Sequence, residues 1–308
     1  MPTETELAEL ERLRCKTYRK HLSMDKSVFV CKVLSWLCFA ILLYGVFFNK
    51  PVLGFSIIFL FIFLSIAGCI DTYKGVALLK YKNEIKQKVY NLIFFGELDF
   101  EYVTMSDEKV SKLFDKLYSL NLFGAFTKLV CDDCFVCKIE DISFKIYDIG
   151  VYNIAVGYKA KVTKKIFEGM LIVAPSFKNF SGVTVIRADK KLKLTGDIGT
   201  MLERVNFEDN VFEKEFDVYS TNQIEARYLL TTAFMERLVR AVDKEKKQII
   251  GSFEDGKVFI GVQDSKDLFE LDLSKPLTDK ETFKPLFEEI KQAVELVKSL
   301  KLEQKTGL

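Results

Sequence analysis

The chain has little histidine, tryptophan or proline: one His, one Trp and five Pro in 308 residues. His21 is the single imidazole, and it cannot form a catalytic triad with any group that the sequence identifies. Phosphate-binding loops of the GxxxxGK[ST] and GxGxxG types are absent. The formal net charge is only +2, which argues against a dedicated nucleic-acid binder. We therefore expect no cofactor and no nucleic-acid partner.

Charged residues avoid one part of the chain. Residues 28–70 contain only Lys32 and Lys50, whereas the remainder is as charged as a soluble domain. A bilayer core requires about 20 apolar residues, with about 17 tolerated. The pattern predicts a transmembrane helical hairpin with helices at about 28–48 and 52–70, the first only if Lys32 extends its amine to the headgroups. A pair of buried core helices is the alternative.

Basic residues flank this predicted hairpin on both sides, while its connecting turn carries one lysine. The positive-inside rule then places both termini in the cytoplasm. Anionic headgroups attract such residues, so membrane lipid is an expected partner. The residues expected at the membrane surface are Arg19, Lys20, His21, Lys26, Lys74 and Lys80.

The remaining sequence predicts an α+β domain with a mainly antiparallel sheet and helices packed on one side. Apolar residues alternate with polar ones from 126 to 220, which is the period of strands. The predicted organisation around the hairpin is an amphipathic N-terminal helix at 1–27, a juxtamembrane helix at 71–95, the cytoplasmic α+β domain at 96–302 and a tail at 303–308.

Several short signals fix where elements of this domain begin and end. Ser106 is a predicted N-cap for a helix to about residue 120. Asn222, with Glu225 three residues on, forms a capping box ahead of a single helix over 223–242. Asp255-Gly256 predicts a type I′ hairpin turn, and a final helix is expected over 283–302.

A CxxCxxC segment contains Cys131, Cys134 and Cys137. Three thiolates at this spacing suit zinc or part of an iron–sulfur cluster, but no later cysteine supplies a fourth ligand. We therefore predict small buried hydrophobic residues, with a metal site or reactive thiols as alternatives. In a regular strand Cys131 and Cys137 share one face, and Cys134 lies on the other face or in a bulge.

Arg227 is the oddity of the predicted 223–242 helix, because an arginine among apolar neighbours needs a carboxylate or backbone partner. Glu208, Asp209 and Glu213 are the predicted partners. They give either a structural ion pair or a binding pocket. The residues around Glu213 are interpreted as a strand region ending at 220, with its acidic side chains facing solvent.

Residues 205–238, VNFEDNVFEKEFDVYSTNQIEARYLLTTAFMERL, resemble the signature of DUF3137, a bacterial family of uncharacterised membrane proteins sometimes labelled galanin-like. The segment 166–189, IFEGMLIVAPSFKNFSGVTVIRAD, is similar to another motif of that family. The resemblance covers roughly residues 85–302, and the paired apolar helices ahead of it fit as well. This chain has Thr232 where the family pattern has proline.

The resemblance implies a multi-pass protein of the bacterial inner membrane without a known activity, and LemA-type membrane proteins as possible partners. From the residues we favour a non-enzymatic, membrane-anchored module whose cytoplasmic domain binds protein or lipid. The alternative is a membrane-bound enzyme or small-ligand sensor with a pocket near Arg227 and Glu208/Asp209.

Overall fold

The computed structural model divides the chain into two compact units. The helical unit comprises residues 1–93 and 272–282, and the sheet unit comprises residues 94–271 and 283–308. The residues that the structure describes are 4–47, 53–93, 99–139, 142–156, 161–188, 200–266, 268–270, 272 and 274–302. The tail predicted at 303–308 lies outside them.

Two long helices, α1 (Glu4–Phe47) and α2 (Leu53–Ile93), form most of the helical unit. Lys32 of α1 forms an ion pair with Asp71 of α2, at 3.7 Å between Nζ and Oδ2. The length of helix between Lys32 and the end of α1 is about the same as the length between the start of α2 and Asp71. The two helices are therefore antiparallel and form a helical hairpin.

Of the residues that the structure describes, none forms a helix that is both long enough and apolar enough to cross a membrane. The transmembrane character predicted for residues 28–70 is thus not supported by the structure.

A segment from late in the sequence completes the helical unit. The backbone N–H of Leu277 donates to Glu11 of α1 at 2.8 Å, and Leu277 itself is buried. Glu11 also accepts a 2.6 Å bond from Arg14, which is buried as well. The Arg14 bond, helped by the Leu277 bond, lowers the pKa of Glu11 from 4.5 to about 2. Glu11 therefore stays ionised and fastens this segment to α1.

In the described part of the sheet unit, the strands form one sheet in the order β1-β2-β3-β4-β9-β8-β5-β7-β6, with antiparallel neighbours throughout. This confirms the α+β class. The elements are β1 (Asp99–Tyr102), α3 (Asp107–Ser119), β2 (Lys128–Ile139), β3 (Ile142–Val156), β4 (Lys161–Pro175), β5 (Thr184–Arg187), β6 (Glu203–Val205), α4 (Asn210–Glu215), β7 (Asp217–Ser220), α5 (Gln223–Leu229), α6 (Thr232–Glu245), β8 (Ile249–Glu254), β9 (Lys257–Gln263) and α7 (Lys284–Ser299).

Helices cover both faces of this sheet, not one as the sequence predicted. On the face that we call the α3 face, Leu117 of α3 packs in one cluster with Leu171 and Phe259. On the opposite face, which we call the α6 face, Phe234 of α6 contacts Phe253 of β8 with ring centroids 5.8 Å apart. Large apolar side chains therefore point inward from both layers of helices.

The single helix predicted over 223–242 is two helices, α5 and α6. The chain leaves the helical conformation at Leu230. Thr231 then caps α6, because its hydroxyl accepts from the backbone N–H of Phe234 at 3.3 Å. Thr232 is the first residue of α6, a position that favours proline. A proline at this position would therefore be compatible with the start of α6.

Candidate functional site

Two of the three carboxylates predicted to surround Arg227 have structural roles elsewhere. The strand predicted around Glu213 is wrong, because this stretch is the short helix α4. Asp209 caps α4, and its carboxylate accepts two backbone N–H bonds of 2.9 and 3.1 Å. Glu213 forms an ion pair with Arg204 at 3.3 Å, and Arg204 also contacts the buried Asp217 at 2.9 Å. Glu208 is exposed.

Arg227 is exposed and binds backbone and amide oxygens. Its guanidinium donates to the backbone oxygen of Gln223 at 2.9 Å and to the side-chain oxygen of the same residue at 3.1 Å. It also donates to the backbone oxygen of Asn206 at 3.4 Å. In the described ranges no carboxylate lies within ion-pair distance of Arg227. The structure therefore does not bring Arg227 together with Glu208, Asp209 and Glu213, and its role in binding stays a prediction.

A one-residue bulge in β2 decides where the three cysteines face. Cys131 lies opposite Ile149 of β3 and Cys134 lies opposite Tyr147, so three steps along β2 match two along β3. Cys131 and Cys134 therefore lie on the α3 face, and Cys137 lies on the α6 face. The sequence predicted instead that Cys131 and Cys137 share a face, because periodicity alone does not reveal a bulge.

The three cysteines are buried, as expected. Burial raises the pKa of Cys134 to about 11 and that of Cys137 to about 12, and it raises the pKa of Cys131 as well. All three are therefore neutral thiols at physiological pH, which disfavours the reactive-thiol alternative. Among the residues that the structure describes, no cluster of His, Cys, Asp or Glu side chains could hold a metal ion.

Only part of the predicted membrane-surface set can be located. Arg19 and Lys26 are exposed on α1. The side chains of Lys20, His21, Lys74 and Lys80 lie outside the described part of the structure.

A cleft of about 510 Å³, which sequence reasoning did not find, opens between α3 and the α3 face of the sheet. We call it the α3 cleft. Its floor and walls are mostly apolar, and lysines from three elements line it. The lining residues are Val103, Met105, Leu113, Val173, Ala174, Pro175 and Phe259, the lysines Lys109, Lys112, Lys116, Lys145 and Lys257, and Cys134, Ser143 and Tyr147.

Two of these lysines are neutralised by neighbouring carboxylates. Lys116 forms ion pairs with Glu254 and, at 2.6 Å, with Asp255. Lys112 pairs with Glu108 one turn earlier on α3, also at 2.6 Å. Three carboxylates near the cleft are therefore engaged in ion pairs.

The other three lysines keep an uncompensated charge. Lys109 donates to the backbone oxygen of Thr104 at 3.1 Å. In the described structure no carboxylate lies within 4.0 Å of the amines of Lys109, Lys145 or Lys257. Five amines thus face three carboxylates, which leaves an excess of two positive charges.

The sequence carries one signal of this cleft. Lysines at 109, 112 and 116 have the spacing of one helix side, next to the apolar stripe of α3. Such a row of lysines usually marks a face in contact with solvent. The partners Lys145 and Lys257 come from strands far apart in sequence, so only the sheet order reveals that they line the same cleft.

Comparison with known proteins gives a match to one family model over part of the chain and no activity. Residues 165–302 match the model of DUF3137, a protein family of unknown function, which confirms the resemblance over that part of the chain. No curated protein matches in sequence. The crystal structure of the mycobacterial trehalose monomycolate transport factor A, TtfA, is similar at a TM-score of 0.36 and 12% identity, covering 72% of this chain and 95% of that chain.

Proposed function

We propose that this chain, which carries a DUF3137 domain over residues 165–302, is a membrane-anchored binding module of the bacterial inner membrane. The helical unit holds the chain in lipid, and the sheet unit binds a lipid or protein partner at the membrane surface. The observation that carries this proposal is the outward-facing apolar surface of the helical unit.

That surface is unlike the surface of a water-soluble helical pair. Most of the large hydrophobic residues that are exposed in the described structure lie on α1 and α2. Trp36, Phe29 and Phe61 are the most exposed of those on the two helices, at 72%, 68% and 65%. Soluble proteins rarely expose such contiguous apolar surface, which instead marks contact with a membrane or partner. In the sequence, an uncharged run extends from residue 52 to residue 70.

The polar groups of the helical unit fit one membrane orientation. Lys32 and Asp71 stand at the same end of the two apolar stretches, so their ion pair lies at headgroup level when the stretches enter lipid. Arg19 and Lys26 are exposed on the same side, toward the N-terminus of α1. The positive-inside rule then places both termini in the cytoplasm.

A binding role is favoured over an enzymatic one because two of the carboxylates predicted near Arg227 are engaged otherwise. Asp209 caps a helix, and Glu213 pairs with Arg204. The family resemblance adds LemA-type membrane proteins as candidate protein partners. Crosslinking in native membranes tests this part, because a LemA-type protein should be captured by the full chain and not by the isolated hairpin.

The single tryptophan provides a direct test of anchoring. Trp36 lies on the exposed apolar side of α1. In vesicles of phosphatidylcholine with brominated chains, its fluorescence should be strongly quenched, and aqueous iodide should have little effect. The matched control is the double variant Trp36→Phe/Tyr228→Trp, which moves the tryptophan to an exposed position on α5 and should respond in the opposite way. A wild-type chain quenched by iodide and not by brominated lipid contradicts membrane anchoring.

A further inference from the structure

We propose that the α3 cleft binds an anionic amphiphile with a single hydrocarbon chain, whose phosphate or carboxylate lies at the lysines and whose chain lies along the apolar floor. This inference rests on the proposed function, because it names the class of ligand that the sheet unit takes at a membrane. Three features of the cleft support it independently.

The first feature is the apolar lining. The cleft volume of about 510 Å³ lies within the range of roughly 300–1,000 Å³ that is usual for small-molecule sites. Val103, Met105, Leu113 and Val173 line it and are only half-buried, whereas Phe259 beneath them is buried. A hydrocarbon chain in the cleft would remove this surface from water, which is favourable.

The second feature is the charge at the cleft. Lys109 comes from α3, Lys145 from β3 and Lys257 from β9, and all three are exposed. An ammonium is a compact charge on a flexible stem, so it accepts a carboxylate or a phosphate without demanding one geometry. Two excess positive charges match one phosphate monoester, and they attract anionic lipid over a Debye length of about 10 Å.

The third feature is that the interior of the cleft is polar without being anionic. The hydroxyl of Tyr147 is hydrogen-bonded to the sulfur of Cys134. Burial raises the pKa of both groups, so both are neutral at physiological pH. Glu108, Glu254 and Asp255 are held by Lys112 and Lys116, and Asp133, whose charge acts on Cys134, is buried outside the lining and accepts from Tyr102 at 2.9 Å. No described group in the lining therefore repels an anionic headgroup.

Cys134 reports on occupancy of the cleft. The full chain in phosphatidylcholine vesicles is treated with N-ethylmaleimide at pH 9, where a small thiolate fraction of Cys134, whose pKa is about 11, allows slow alkylation, and alkylation of each cysteine is followed by peptide mass spectrometry. We expect 1-palmitoyl lysophosphatidic acid to slow alkylation of Cys134 about tenfold when nine-tenths of the sites are filled. Cys137 faces the other side of β2, so its rate should not change.

Two probes separate the head from the chain. 1-Palmitoylglycerol has the same chain without the phosphate, and glycerol 3-phosphate has the head without the chain. Neither should protect Cys134 at the concentration at which the complete amphiphile does. Equal protection by the neutral lipid, or equal protection by glycerol 3-phosphate, overturns the proposal.

In the variant Lys109→Gln/Lys145→Gln, the concentration of lysophosphatidic acid needed to protect Cys134 should rise about tenfold. This is the effect expected from the loss of two exposed charge contacts. Lys214→Gln is the matched control, since Lys214 is exposed on α4 and does not line the cleft. Quenching of Trp36 by brominated lipid is measured in the same vesicles. Quenched Trp36 without protection of Cys134 overturns this inference and leaves anchoring standing, whereas unquenched Trp36 overturns the anchoring.

Discussion

The helical unit and the sheet unit place their large apolar residues in opposite ways. In α1 and α2 these residues point outward, as Trp36 and Phe61 do. In the sheet unit they point inward, and Phe234 and Phe253 are fully buried between α6 and the sheet. The sheet unit therefore buries its large apolar residues in a core of its own, whereas the helical unit leaves many of its large apolar side chains exposed.

The difference teaches that average composition is a poor guide to this chain. A hydrophobic content of 49% and a charged content of 29% describe neither unit. Phenylalanine stabilises the folded state of the sheet unit by burial, and in the helical unit the proposed anchoring brings it into contact with lipid. The substitutions below test that contrast, starting with the largest expected effect.

Phe253→Ala should lower the free energy of unfolding of the sheet unit by about 3–5 kcal/mol, because it leaves a cavity next to Phe234 and Phe180. Phe61→Ala should change stability by less than about 0.5 kcal/mol, because the ring is exposed. Hydrogen exchange of β8 peptides in urea measures the first effect. Equal losses for the two variants contradict the inward-versus-outward contrast.

Charged residues sharpen the comparison within the sheet unit. Arg204→Met removes the partner of Asp217, which is buried, and should cost about 1–3 kcal/mol. Arg227→Met is the matched control. Its guanidinium is exposed and binds only Gln223 and Asn206 among described residues, so the cost should stay below about 0.5 kcal/mol. Urea denaturation followed by hydrogen exchange compares the free energies of unfolding of the two variants. A larger loss of stability for Arg227→Met than for Arg204→Met would contradict this assignment of roles to the two arginines.

Glu11 gives a smaller expected effect and the clearest pH dependence. Its pKa is lowered from 4.5 to about 2, so its carboxylate contributes stability above pH 4.5 that is lost as the pH falls toward 2. Glu11→Gln should destabilise the helical unit by about 1 kcal/mol at pH 7, since the pair is partly exposed. The difference from wild type, measured by hydrogen exchange around Leu277, should shrink as the pH falls from 4.5 and vanish only below pH 2.

Glu289 in the sheet unit provides the opposite sign and the smallest effect. It is half-buried on α7 and accepts from the backbone N–H of Phe269 at 2.6 Å, yet burial raises its pKa. Ionisation of Glu289 therefore opposes folding as the pH rises through its raised pKa. Glu289→Gln should be neutral or stabilising at pH 7 in urea denaturation, and a loss comparable to that of Glu11→Gln would contradict these opposite roles.

Local signals in the sequence predicted much of the fold because they depend on nearest neighbours. Ser106 accepts from the backbone N–H of Lys109 at 3.4 Å, so it caps α3 as predicted. Asp255 and Gly256 have φ values of +50° and +65°, as a type I′ turn requires. Both features are decided by residues close together in the chain, which is the range that a sequence pattern reports.

Predictions that depended on distant contacts did less well. Asn222 caps α5 as expected, but Glu225 does not close a capping box. Its carboxylate instead accepts the backbone N–H of Gly182 at 2.7 Å, from the loop before β5. The two residues are far apart in sequence, and no spacing rule connects them. The sequence did not predict the α3 cleft for the same reason, because its lysines are brought together only by the order of the strands in the sheet.

The segment 272–282 means that the chain enters the helical unit twice. A shortened chain that starts at the sheet unit keeps Leu277 but loses Glu11, the carboxylate that accepts from its backbone N–H. During synthesis, α1 and α2 emerge before any strand of the sheet, and this segment emerges only after β9. The helical unit therefore begins to form first and is finished only after β9 has been made, which ties its final assembly to synthesis of the whole sheet.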